Sequence, residues 1–179
     1  MTNLFIEVLH PDAVVPFQAT TEAAGMDITA LLWRDVVVYP ANIESKPDED
    51  DAFVVVEPKL TEKDIAYIDL MPNERAMIPT GLRLQAGKGF CEKLYPRSGN
   101  SIKRGLVLAN CVGIIDRDFK NEMMVLVQNN SSNIKRIHTG MKICQLTIEP
   151  VITAQVMVVD ALPVIETNRI GGFGSTNND

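Results

Sequence analysis

An all-β fold, a sandwich or barrel, is predicted by three properties of the sequence. Short β-branched or apolar runs recur from one end of the 179-residue chain to the other. Pro, Gly and Asn punctuate them, as turns do between strands. No long stretch repeats apolar residues at the 3.6-residue spacing of an amphipathic helix.

In chain order the expected strands are LFIEVL (4–9), DVVVYP (35–40), AFVVVEP (52–58), RAMIPTGLRLQ (75–85) and GFCEKLYP (89–96). GLVLANCVGIID (105–116), EMMVLVQNN (122–130), KICQLTI (142–148) and ITAQVMVVD (152–160) follow. Each is rich in Val, Ile, Leu or aromatic residues and is bounded by turn formers. TEKDIAYI (61–68) is expected to make one or two helical turns. The acidic stretch NIESKPDEDD (42–51) lacks the alternating ligands and central Gly of a calcium loop, so it reads as a solvated insertion.

Composition narrows the function classes. Hydrophobic residues make up 46% and charged residues 22%, enough for one cored domain with a sizeable insertion. No apolar run nears the roughly 18 residues of a membrane span, and MTNLFIEVLHPD has no basic region leading into a long apolar one. A cytoplasmic protein without a membrane partner is expected. The formal net charge of −6 carries no basic excess, so a nucleic-acid partner is not expected. A local cluster of Arg and Lys can still hold a small anion. Cys91, Cys111 and Cys144 fit neither a disulfide framework nor a CxxC metal site and are expected to be buried thiols. With only His10 and His138, a histidine-rich metal site is excluded.

Five stretches have the composition of a site. AAGMDIT (23–29) sets Asp27 at the mouth of a strand. YPRSGNSIKRG (95–105) puts Arg97 and Ser98 at a Pro/Gly turn, where amides, a hydroxyl and a guanidinium can hold phosphate together. NCVGIIDRDFKNE (110–122) reads as a hairpin with Gly113 near its bend and Asp116 on the returning strand. GMKICQL (140–146) offers Gln145 from an apolar strand. RIGGFGSTNND (169–179) ends the sequence with a large ring among glycines. Singly each has a plainer reading: a common turn for Asp27, a polar surface turn for Arg97, a surface pair with Arg104 or Arg117 for Asp116, a backbone partner for Gln145, a solvated tail for the last.

Taken in this order, the five stretches resemble the five sequence motifs of the trimeric dUTPase family. The resemblance runs from about residue 3 to residue 176, interrupted by extra residues between about 34 and 75. It implies a jelly-roll-like β-barrel over residues 1–168 and a flexible flap over 169–179 that closes an active site. It implies a homotrimer with shared active sites, and hydrolysis of dUTP to dUMP and pyrophosphate with Mg²⁺ held mainly by the triphosphate. Such chemistry needs an oriented water and charge neutralisation rather than a covalent nucleophile.

The roles come over motif by motif. Asp116 would orient the attacking water, Asp27 would bond water ligands of the metal, and Gln145 would bond the α-phosphate region or its water. Arg97, Ser98 and Gly99 would grip phosphates. Asn110, Gly113 and Ile115 would read uracil through backbone and side chain, leaving no room for the thymine methyl. Phe119 stands where most members carry Tyr beneath the deoxyribose. Phe173 would stack on uracil, with Gly174, Ser175 and Thr176 at the terminal phosphate. Only Ile170 separates Arg169 from GGFG, where the family has two residues. Either Arg169 reaches the γ-phosphate by another backbone route or Asn168 takes the arginine's place. Two rivals stay open: a dCTP deaminase of the same fold, and a slow nucleotide-binding regulator with a protein partner at the insertion.

Overall fold

The computed structural model describes residues 2–41 and 53–166. Its elements are β1 (Leu4–Val8), β2 (Met26–Thr29), β3 (Val36–Tyr39), β4 (Val54–Val56), β5 (Lys59–Leu60), β6 (Ala66–Leu70), β7 (Arg75–Pro79), β8 (Leu82–Ala86) and β9 (Phe90–Pro96). Then come α1 (Ser98–Arg104), β10 (Leu106–Leu108), β11 (Gly113–Ile115), β12 (Met124–Asn129), β13 (Lys135–His138) and β14 (Lys142–Pro150). The fold is all-β and jelly-roll-like, with one short helix among the described residues.

Two larger sheets, ordered β10-β12-β7-β3-β4 and β11-β9-β14-β2, enclose the core with two smaller ones, β13-β6-β5 and β1-β8. All the pairings are antiparallel. Period-two patterning sends one face of each strand inward: Val125, Val127 and Asn129 of β12, Ala76 and Ile78 of β7, Val36 and Val38 of β3 are buried. Fully burying one such aliphatic side chain stabilises by about 1.5–3 kcal/mol. Asn129 lies wholly inside because every polar atom is met. Its amide donates to the carbonyls of Leu70 (2.9 Å) and Asn133 (2.8 Å), and its oxygen accepts from Ser131 N–H and hydroxyl. No helix among the described residues is long and apolar enough to cross a membrane.

Four expectations need correction. Residues 61–65 form a turn closed by Thr61, whose hydroxyl accepts from the N–H of Lys63 and Ile65, and β6 begins at Ala66; no helical turn forms. Residues 152–160 make no strand, since the barrel ends with β14 at Pro150 and nothing among the described residues pairs with them. Ile152, Val158 and Val164 stand 90%, 98% and 94% exposed along this arm. Cys91 and Cys144 are buried, but Cys111 is exposed. The fourth correction, to the expected hairpin, belongs to the site.

Both ends of segment 34–75 build the barrel: Val36 and Val38 from β3, and Ile68 and Leu70 from β6, belong to the core. β4 adds to the edge of the five-stranded sheet beside β3, with Phe53, Val54 and Val55 exposed. The acidic stretch 42–51, together with Ala52, lies outside the described residues.

Candidate active site

Three strands of the four-stranded sheet converge on Asp27. In β2 it lies opposite Gln145 of the central strand β14, which lies opposite Tyr95 of β9. Paired residues of antiparallel strands share a face, so the three side chains form one outward row. β14 carries an irregularity between Lys142 and Cys144, which a β-bulge uses to re-aim a side chain. Lys142 Nζ reaches Asp27 Oδ2 at 2.9 Å, and Arg97 Nε donates to Oδ1 at 2.8 Å. Two cations against one carboxylate leave this corner positive. Beside it, Glu149 accepts from Lys93 Nζ (2.6 Å), Tyr95 hydroxyl (2.8 Å) and Thr147 hydroxyl (3.0 Å). The Lys93 and Tyr95 bonds hold the Glu149 carboxyl below its ordinary range.

Arg97 is the N-cap of α1, and its carbonyl accepts from the N–H of Asn100 and Ser101. The N–H groups of Ser98 and Gly99 are the ones a helix start leaves free. Both residues are exposed, and a Cβ on Gly99 would meet nothing within 4 Å. Asn100, buried, clips the helix to β14 by donating to the Lys142 carbonyl at 2.9 Å. Gly105 ends the helix at φ 68°, where a Cβ would fall 2.8 Å from Ser131 Cβ.

The second group surrounds a cavity of about 410 Å³ whose wall includes Asn110, Gly113, Ile115, Asp116, Phe119 and Glu122. The expected hairpin is not one. β10 pairs with β12 in the five-stranded sheet, whereas β11 pairs with β9 in the four-stranded sheet. The turn between them crosses from one sheet to the other, and Cys111, at φ 61°, takes its left-handed position. Gly113 opens β11 rather than making the bend. A Cβ there would lie 3.2 Å from Leu94 Cβ and 3.4 Å from Asn110 Nδ2, so any larger residue would press Leu94 and Asn110 back by a few tenths of an ångström. Asp116 follows β11 and is exposed, pairing with neither Arg104 nor Arg117. Its carbonyl accepts from Phe119 N–H at 3.0 Å, turning the 42%-exposed Phe119 ring to the cavity wall.

The dUTPase family model matches residues 64–177, most of the chain. A deoxyuridine 5'-triphosphate nucleotidohydrolase of Hydrogenobaculum is 31% identical over 175 residues, covering 97% of each chain. The chain belongs to the dUTPase family. Among solved structures, the dUTPase of Staphylococcus bacteriophage 80alpha with dUPNHPP is similar at a TM-score of 0.70 and 21% identity, over 98% of each chain. A mutant dUTPase of phage phi11 of S. aureus, described as coordinating a structural Mg(II) ion, is similar at 0.63 and 20%, over 90% of this chain and 99% of that one.

Within this dUTPase-family chain the expected residues fall into two groups. Asp27, Arg97, Ser98, Gly99 and Gln145 gather at one corner; Asn110, Gly113, Ile115, Asp116 and Phe119 share the cavity, whose wall includes none of the first set. Arg169, Phe173, Gly174, Ser175 and Thr176 lie outside the described residues. Lys142 and Glu122 were missed. Lys142 sits inside the fourth motif, but a cross-strand partner so far off in sequence leaves no local signal.

Proposed function

We propose that the chain hydrolyses dUTP to dUMP and pyrophosphate by attack of an oriented water on the α-phosphorus. The observation that carries this reading is the cavity wall, where the sheet-crossing turn and Asp116 stand together in a member of the dUTPase family. An ionised carboxylate accepts hydrogen bonds from water and aims its lone pair. Asp116 is exposed, and no cation among the described residues pairs with it, so its oxygens are open to that water. The close-set backbone at Asn110–Gly113 reads the uracil edge; a cytosine would leave polar groups unpaired, at roughly 1–3 kcal/mol each. The Phe119 ring underlies the sugar.

The positive corner serves the triphosphate: Arg97 spends Nε on Asp27 and Nη1 on the Lys142 carbonyl (3.4 Å), leaving Nη2 for phosphate, aided by the amides of Ser98 and Gly99. Mg²⁺, when bound to the triphosphate, would neutralise phosphate charge. Asp27 fits a place beside it, because a carboxylate has about four lone-pair sites and the two cations occupy one on each oxygen. Gln145, across from Asp27, would bond the α-phosphate region.

Because one chain keeps base-reading and phosphate-binding groups apart, the active site is completed between copies in a homotrimer. The exposed apolar arm after Pro150 supports the same assembly. Arg169 and the GGFG segment would close over the nucleotide in this reading.

Pyrophosphate release from dUTP, dTTP, dCTP and UTP tests the reaction. Wild type is expected to act on dUTP alone, and Asp116→Asn to lose nearly all turnover; unchanged hydrolysis by that variant defeats the mechanism. Ammonia from dCTP would instead mark a deaminase. Co-refolding Asp116→Asn with Arg97→Met tests shared sites. Activity above the sum of the two variants is expected, because some sites then draw both intact groups from different chains. No gain would mean that each site is built within one chain.

A further inference from the structure

Glu122 lies at the far end of the loop that begins at Asp116 and carries Phe119, and it is 9% exposed. Its carboxylate receives four donors from two other parts of the chain. Oε1 accepts from the backbone N–H of Gly81 (2.7 Å) and Thr80 (3.0 Å) and from Trp33 Nε1 (3.3 Å). Oε2 is paired with Arg34. The next residue is tied to the same turn, with Met123 N–H donating to the Leu82 carbonyl (2.8 Å) and the Thr80 hydroxyl to the Met123 carbonyl (2.6 Å). The near end of the loop is held by β11; its middle makes the internal Phe119 N–H to Asp116 carbonyl bond and, among the described residues, is tied to the rest of the barrel by Gln85 donating to the Arg117 carbonyl at 3.0 Å. Phe119 therefore sits on a span with firm ends, and at the far end the Glu122 carboxylate, beside the Met123 bonds, both ties the loop to the Thr80–Gly81 turn and walls the cavity.

We infer that Glu122 is a positioning residue that sets the height of the Phe119 ring under the sugar, and so governs selection of deoxyribose over ribose. The inference rests on the dUTP reading of the cavity. It assigns work to Trp33 and Arg34 as well. Arg34 lies 5.3 Å over the Trp33 ring while both hold Glu122, so the segment leading into β3 is joined to the substrate cavity through one carboxylate. Trp33 is the sole tryptophan of the chain. Its indole N–H is one hydrogen bond from the cavity wall, which makes its emission a reporter of the loop.

Glu122→Gln keeps an oxygen for Thr80 and Gly81 but turns an amide donor toward Arg34, loosening the clasp without removing it. Steady-state kinetics with dUTP and UTP, and Trp33 emission titrated with a non-hydrolysed imido analogue of dUTP, test the idea. In wild type, emission should shift on saturation. In Glu122→Gln, KM for dUTP should rise about tenfold, the change expected for one charge-assisted hydrogen bond, with kcat less affected. The dUTP/UTP preference should fall, and the emission shift should shrink. Arg34→Met, which leaves the backbone bonds of Glu122 intact, should give the same pattern more weakly. Unaltered KM and selectivity in both variants would overturn the inference, even if melting temperatures fell; so would wild-type emission indifferent to bound nucleotide. Wild type inactive on dUTP would instead bring down the functional reading beneath it.

Discussion

Among the described residues two glutamates are buried, and the structure treats them in opposite ways. Glu122 closes the cavity loop with four donors on its carboxylate. Glu92, in β9, is wholly buried behind Ile115, its partner across the strand pair, and neither oxygen makes a hydrogen bond within the described residues. Burial pushes the Glu92 carboxyl above its ordinary range, and the backbone of Glu92 itself and of Ala86 offsets this only in part. Burial alone therefore does not tell what a charged residue contributes; its donors do. A carboxylate with partners holds segments together, and one without them weighs on stability.

That contrast can be broken by substitution. The largest effect is expected from Glu122→Ala, which orphans the N–H groups of Thr80 and Gly81. Chemical denaturation should register a loss of roughly 2–4 kcal/mol, since the partly exposed Arg34 regains water. A loss below 1 kcal/mol would mean the four donors find water as easily. Glu92→Leu, of similar bulk, should act in the opposite direction, with a gain of roughly 1–2 kcal/mol at pH 7.

Titration sharpens the pair further. Since folding raises the Glu92 carboxyl above its unfolded value of 4.5, the folded chain keeps a proton that the unfolded chain releases. Stability from this group is then lost as pH rises above that value, and regained below it. The stability gap between Glu92→Leu and wild type should widen from about pH 4.5 upward. A gap constant with pH would show that the carboxyl is not the cause.

The smallest effect belongs to Asp69, half-buried on β6, where the more exposed Arg136 holds it by two bonds of 2.8 and 2.9 Å. Those bonds lower its carboxyl, so its contribution is present above the unfolded value and fades as pH falls through the folded one. Asp69→Asn should cost well under 1 kcal/mol at neutral pH, as solvated pairs do. Its pH dependence should have the sign opposite to that of Glu92.

Much of this fold was legible in the sequence where a strand's period and its partner agree. β7 and β12 alternate cleanly, and both find neighbours within the chain. The arm 152–160 has the same β-branched composition yet forms no strand, because composition cannot say whether a partner exists. β10 and β11 read as a hairpin because a short turn joins them; that they feed different sheets is decided by the left-handed Cys111 and by β9, neither announced locally. The motif residues stood out by type and spacing. Lys142 and Glu122 did not, since their partners lie across the barrel and only folding brings them near.

The arm after Pro150 has a consequence for the life of a newly made chain. In the proposed assembly, Ile152, Val156, Val158 and Val164 face water until a second copy arrives, and such a surface adheres to whatever apolar surface it meets first. The yield of active protein should then depend on how quickly chains meet relative to how quickly strangers capture them. Slow synthesis in a crowded extract would favour the strangers, and dilution would delay the meeting.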